Sequence, residues 1–169
     1  MRVFGAHVPV SGWTLAALLV GGTASVVLAG PLSRRTGWRR GPLLGTLLFL
    51  CGILALTLTP GTEPHSDGLR ACLPGSFPGL VHSVLHTGGG VSGTLLNLVL
   101  FLPFTAAAVV TTGRWLATAI ATVPLPLLIE TAQSHIPGRY CSAADFVTNT
   151  AGALAGVLIG HFVLSRVPR

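Results

Sequence analysis

Charge is scarce in this 169-residue sequence: Asp, Glu, Lys and Arg make up 8% of it, where an ordinary soluble domain carries about a quarter. The acidic residues are Glu63, Asp67, Glu130 and Asp145; ten arginines oppose them, and there is no lysine. So little charge excludes a water-soluble globule. No glycine-rich loop ending in lysine is present, which excludes a P-loop phosphate cradle, and no Gly-x-Ser-x-Gly stretch supplies a nucleophile elbow. Aromatic residues are few, at 7%. No aromatic-rich or glycine-arginine segment accompanies the net charge of +6 at pH 7, so nucleic acid is not an expected partner. Metal ligands are equally thin. His82 and His86 stand four apart, a spacing two ligands can use, but no third lies nearby in sequence, so they read as ordinary interfacial histidines. No metal and no cofactor are expected.

What the sequence has in quantity is apolar length. Hydrophobic residues reach 50% and the mean hydropathy is +0.75. The fold class is therefore all-α, a polytopic transmembrane helical bundle forming a single membrane domain over residues 1–169. Apolar runs of the length needed for a core about 30 Å thick predict five spans. They lie at about Val10–Leu32, Gly41–Thr59, Gly93–Thr111, Trp115–Gln133 and Ala143–Leu164. The first run is too long, and its flank too thin in charge, for a cleaved signal, so it reads as a retained span. Gly21, Ser25 and Ala29 give it a ridge of small residues for close helix contact. Pro103 should bend the third span, and Pro124 and Pro126 should kink the fourth. The loop over about 60–92 carries Glu63 and Asp67 as solvated charges. Within it, Leu80, Val81, Val84 and Leu85 against His82, Ser83 and His86 predict a short interfacial helix.

The arginines bracket the spans, as topology signals do. Arg34, Arg35, Arg39, Arg40, Arg114, Arg166 and Arg169 fall on one side; Arg2, Arg70 and Arg139 fall on the other. Seven against three places the N-terminus outside and the C-terminus in the cytoplasm of a multi-pass plasma-membrane protein. Cys51 then lies inside the second span as a small packing residue. Cys72 and Cys141 share the outer side, where a disulfide can persist; whether they meet depends on geometry that sequence does not carry.

Most of the polarity inside apolar runs gathers between Ile129 and Gly160. Glu130 and Gln133 share a face at the end of the fourth span, and Asp145 and Asn149 share one at the start of the fifth. Gly152, Gly156 and Gly160 continue the latter stripe at four-residue spacing, a surface for close helix packing. Between the spans runs His135-Ile136-Pro137-Gly138-Arg139. A carboxyl as deep as Glu130 must be paired, with Arg139 the nearest candidate, or neutral; it serves either as a functional group or as hydrogen-bonding glue between helices. Ser142-Ala143-Ala144-Asp145 fits a capping box, which gives Asp145 a structural role beside any functional one. Arg139 can snorkel to the interface or hold a phosphate with its planar fork. His135 reads either as a general base or as a histidine at a helix C-terminus. Asn97 joins the set from the start of the third span.

The pattern Glu130-x-x-Gln133, Gly138-Arg139, Asp145, Asn149-Thr150, Gly152 and Gly156 resembles the signature of the VanZ-like family of bacterial membrane proteins. Asn97-x-x-x-Phe101-x-Pro103 resembles a second motif of that family. The resemblance covers a core of about residues 94–160, with a weaker echo in Leu56-Thr57-Leu58-Thr59-Pro60. Two positions where many members are acidic are Ser142 and Ala144 here. The resemblance implies a cell-envelope role and, by association, lowered susceptibility to teicoplanin-type glycopeptide antibiotics. The expected partners are the lipid bilayer and an anionic envelope head group or lipid-linked cell-wall precursor. Asn97, Glu130, Gln133, Arg139, Asp145 and Asn149 are the candidate ligand-binding residues. A membrane enzyme using Glu130 or Asp145 as acid or base is the alternative. A proton-coupled carrier is weaker, because the ionisable groups gather at one boundary instead of crossing the core. Oligomeric state is not legible.

Overall fold

A computed structural model describes residues 2–3, 6–7, 11–61, 72, 76–86, 90–139 and 141–166. Glu63, Asp67, Arg70 and Arg169 lie outside the described residues, as do the side chains of Arg2 and His86. A two-residue antiparallel bridge, β1 (Arg2–Val3) with β2 (Ala6–His7), precedes the helices. These are α1 (Gly12–Thr36), α2 (Arg40–Thr57), α3 (Phe77–His86), α4 (Gly90–Thr112), α5 (Trp115–Thr122), α6 (Leu125–Gln133) and α7 (Ala143–Arg166). Among the described residues, five stretches are long and apolar enough to cross a membrane: Gly12–Thr36, Arg40–Thr57, Val91–Thr112, Trp115–Gln133 and Ala143–Arg166. The chain is an all-α helical bundle.

Local chemistry sets the boundaries. Ser11 and Thr14 form a reciprocal capping box at the start of α1, and Gly37, at φ 73°, closes its end in the left-handed region. The fourth span is more than kinked. It is two helices, because Pro124 and Pro126 have no N–H for the carbonyls of Ile120 and Thr122. α5 closes at Val123, whose N–H reaches Ala119 O at 2.9 Å. The new helix then starts with Pro126 in its first turn, where a missing donor costs little. α4, by contrast, continues through Pro103.

α4 is the central helix. It packs most extensively on α7, also against α2, while α1 lies along α2. Ile53 of α2, Phe101 and Phe104 of α4, Ile129 of α6 and Ala153 of α7 meet in the core. Bilayer lipid is as apolar as these side chains, so close packing and interhelical hydrogen bonds must hold the helices together. Both are visible. A Cβ on Gly152 would overlap the carbonyl of Leu98, and one on Gly156 would overlap the Leu102 carbonyl and Thr105 Oγ1. One on Gly160 would sit 2.8 Å from Ala106 O. Partners advance together along both chains, so α4 and α7 run parallel, as two spans separated by one full crossing must. Threonines bridge the other seams: Thr14 to Thr59 at 3.0 Å, Thr46 to Thr111 at 3.0 Å, and Thr105 Oγ1 donating to Ala153 O at 2.9 Å. The ridge of α1 is used as its spacing predicts, with Ser25 and Ala29 buried and Gly21 against Cys51 Sγ.

α3 forms where the amphipathic pattern predicts a helix, packed on α4 and α7, with Thr94 Oγ1 donating to Val84 O. Arg34, Arg35, Arg39, Arg40, Arg114 and Arg166 mark one end of the bundle, at the α1–α2 and α4–α5 turns and the last turn of α7. Arg139 stands at the other, hereafter the polar end.

Candidate functional site

The polar end is assembled around helix termini that cannot complete themselves. The last four carbonyls of a helix have no partner within it, and α2 has no basic residue in its last turn to supply one. Its end is capped from 80 residues away. Arg139 donates through Nε to Thr59 O at 2.9 Å and through Nη2 to Leu56 O at 2.5 Å. Gln133 Nε2 donates to Thr57 O at 3.0 Å. The loop after α6 is pressed onto the same segment: Gly61 N–H meets Pro137 O at 3.2 Å, and a Cβ on Gly61 or Gly138 would overlap the other's carbonyl. Gly138 also has φ 72°, so glycine is required there twice over.

The start of α7 is completed in a similar way. Ser142 is its N-cap, with Oγ accepting the Asp145 N–H at 3.2 Å and the carbonyl accepting the Phe146 N–H at 3.0 Å. In a capping box the acid at the third position would reach back to the cap's own N–H. Here Glu130 Oε2, from α6, takes the Ser142 N–H at 2.8 Å. Asp145 is thereby released to accept from Asn97 Nδ2 at 2.6 Å, which ties α7 to α4. Glu130 is 2% exposed and so depends on that one donor.

Five of the six candidate side chains therefore separate into two groups. Asn97, Asp145 and Glu130 form a chain through Ser142, whereas Gln133 and Arg139 serve the end of α2. The expected Glu130–Arg139 pair is replaced by backbone partners on both sides. Each group finds a nearer, better-aligned hydrogen-bonding terminus than the other's charge. Asn149 belongs to neither group. It lies one turn along α7 from Asp145, 3% exposed, and its Oδ1 has no hydrogen-bond partner among the described residues; nor has the buried Oγ1 of Thr150, the next residue. His135 is exposed, with Nδ1 3.0 Å from both Thr131 O and Ser134 Oγ, so it sits on the last turn of α6 and not on a carboxyl.

Cys72 and Cys141 are joined in a disulfide, with Cα atoms 4.9 Å apart. The bond anchors the long loop beside the Ser142 cap. Among the described residues no group of three His, Cys, Asp or Glu side chains comes together to hold a metal. The contributors that the sequence did not single out are main-chain groups: the carbonyls of Leu56, Thr57 and Thr59 and the N–H of Ser142. One signal for them existed. A helix ending Thr57-Leu58-Thr59-Pro60, without a glycine or a cation of its own, needs a cap from elsewhere.

Comparison with curated proteins and with solved structures gave no match. A family model described as VanZ/LLP1 matches residues 46–164, well over half of the chain. The match begins in α2, upstream of the motifs around residues 94–160, and so includes the helix end that Arg139 and Gln133 complete. With the last three spans, the packing stripe and the polar end all in or against the matched region, this integral membrane protein belongs to the VanZ/LLP1 family.

Proposed function

We propose that the protein resides in the bacterial plasma membrane with its polar end outward, and that this end binds an envelope-derived amphiphile. That amphiphile is a lipid head group or a lipid-linked cell-wall precursor. The observation that carries the reading is the Asn149 carboxamide. A buried acceptor with no partner costs about 1–3 kcal/mol. Such an acceptor, one turn along α7 from the Asn97–Asp145 bond, suits a ligand that brings hydroxyl or amide donors, as a sugar or acetamido head group does. The positive charge of Arg139 at the same end favours an anionic group nearby. Its Nε and Nη2 are engaged with α2, so its part is electrostatic and structural; the acceptor on α7 supplies the specific contact. Lowered susceptibility to teicoplanin-type glycopeptides is the phenotype expected of such binding.

Asn149→Leu is nearly isosteric and removes the orphan acceptor. Folding stability in mild detergent should hold or rise, because a buried unsatisfied atom is lost. Binding should weaken by about tenfold, the equivalent of one hydrogen bond near ~1.4 kcal/mol. Native mass spectrometry of protein released from its own membranes reads the retained amphiphile, and teicoplanin susceptibility of the same strains reads the phenotype. Retention of both in Asn149→Leu at equal membrane levels would sink the reading. Release of a chemically altered ligand would instead identify an enzyme.

Orientation has its own check. The six arginines at the opposite end favour a cytoplasmic α7 terminus. A cysteine added there should resist an impermeant maleimide in intact cells and react after permeabilisation. Labelling in intact cells would turn the polar end inward and remove the basis for an outer site.

A further inference from the structure

α1 and α2 leave between them an open cavity of about 390 Å³ that the polar residues do not use. Its walls include Ala17 and Gly21 of α1 and Leu47, Cys51 and Leu54 of α2, with Thr59 beyond the helix end. Apart from that threonine and the Cys51 thiol the lining is hydrocarbon. From Leu47 to Thr59 the α2 wall spans about 18 Å at ~1.5 Å per residue. That is close to one leaflet of a core about 30 Å thick. Apolar, open to the bilayer and about one leaflet long, the groove matches a single hydrocarbon chain of the surrounding lipid.

We propose that this groove holds one acyl chain of an anionic phospholipid from the leaflet at the polar end, with the head group at the Thr59 mouth. Two positive features meet there. Arg139 Nε lies 2.9 Å from Thr59 O, and Thr14 Oγ1 lies 3.0 Å from Thr59 Oγ1, which brings the N-terminal end of the α1 dipole to the same place. The contact of Gly21 with Cys51 Sγ fixes the spacing of the two helices along the groove. This site is separate from the Asn149 acceptor on α7 and does not depend on what that acceptor binds.

Cys51 is the one free thiol in the chain, since the other two cysteines are bonded to each other. It therefore reports on the groove directly. The full-length protein, stripped of lipid in one mild detergent, is treated with N-ethylmaleimide with and without added phosphatidylglycerol. Alkylation of Cys51 should slow by about tenfold at saturating lipid, and native mass spectrometry should count one retained phosphatidylglycerol. Phosphatidylcholine of the same chain length should need about tenfold more for equal protection, a difference of ~1.4 kcal/mol. Ala17→Phe and Leu54→Trp both fill the groove, the latter from a half-open position; either should abolish protection and retention with the fold intact. Asn149→Leu, remote from the groove, should leave the protection of Cys51 unchanged. Equal alkylation with and without lipid overturns the groove. Equal protection by the two lipids overturns the head-group assignment and leaves ordinary solvating lipid. Loss of protection in Asn149→Leu overturns the separation of the two sites.

Discussion

Gly156→Leu should leave little folded protein. A side chain at this position meets Leu102 O and Thr105 Oγ1, and neither can yield. The first belongs to the α4 backbone. The second is held by Ala153 O at 2.9 Å and lies 3.1 Å from Phe101 O. The same clash recurs one turn away at Gly152 and, less severely, at Gly160, so the helices cannot pivot about a single contact. Overpacking a close-packed interior costs about 1–3 kcal/mol and sometimes more. In a bilayer, packing of this kind is much of what holds two helices together. Gly156→Ala should lower the melting temperature measurably, and Gly156→Leu should abolish the monodisperse peak in detergent size-exclusion chromatography. Gly22→Leu is the control, because a Cβ there meets nothing within 4 Å. Wild-type yield and melting point for Gly156→Leu would mean that α4 and α7 are not packed as described.

Arg139→Gln should destabilise the protein by about 2–4 kcal/mol, from two hydrogen bonds donated by a charged group at ~1.5–3 kcal/mol each, discounted for partial exposure. It leaves Leu56 O and Thr59 O without donors at the end of α2. Arg139→Lys should fall between wild type and Arg139→Gln. An ammonium keeps the charge but cannot address two carbonyls three residues apart with one rigid fork. Thermal melting in mild detergent ranks the three. An arginine that merely snorkelled would give three equal melting temperatures, and the capping role would then be wrong.

The difference between what was legible in the sequence and what was not has a physical pattern. The spans, the Ser142–Asp145 cap and the Gly152-Gly156-Gly160 stripe are local, written in periodicity that any reader of side chains can follow. The partners of Glu130 and Arg139 were not legible because both are backbone groups. A sequence displays side-chain charges, so the visible acid was matched with the visible base. It does not display which N–H or carbonyl a helix end leaves unused until the helix ends are known to ±1 residue. The break at Pro124 and Pro126 was underestimated for a related reason. One proline kinks a helix, but two at this spacing remove two of three successive rungs, on opposite faces, and no side of the helix holds the turn together. Cys72 and Cys141 were legible as a possible pair on one side of the membrane; whether they meet was not, because 69 residues of chain separate them.

The cap that closes α2 also imposes an order on biosynthesis. Leu56 and Arg139 are separated by 83 residues. At ~5–20 residues per second the ribosome needs roughly 4–17 s to deliver the guanidinium after the carbonyl has been made. During that interval the first hairpin, α1 with α2, is in the membrane with an open end, and water at the interface must stand in for the missing donors. Gln133 arrives shortly before Arg139, and the Ser142 cap follows at once, so both helix termini close within the same short stretch of translation. The nascent chain thus stays unlocked through the insertion of α4, α5 and α6, and a dozen residues near its end convert a row of inserted helices into one folded object.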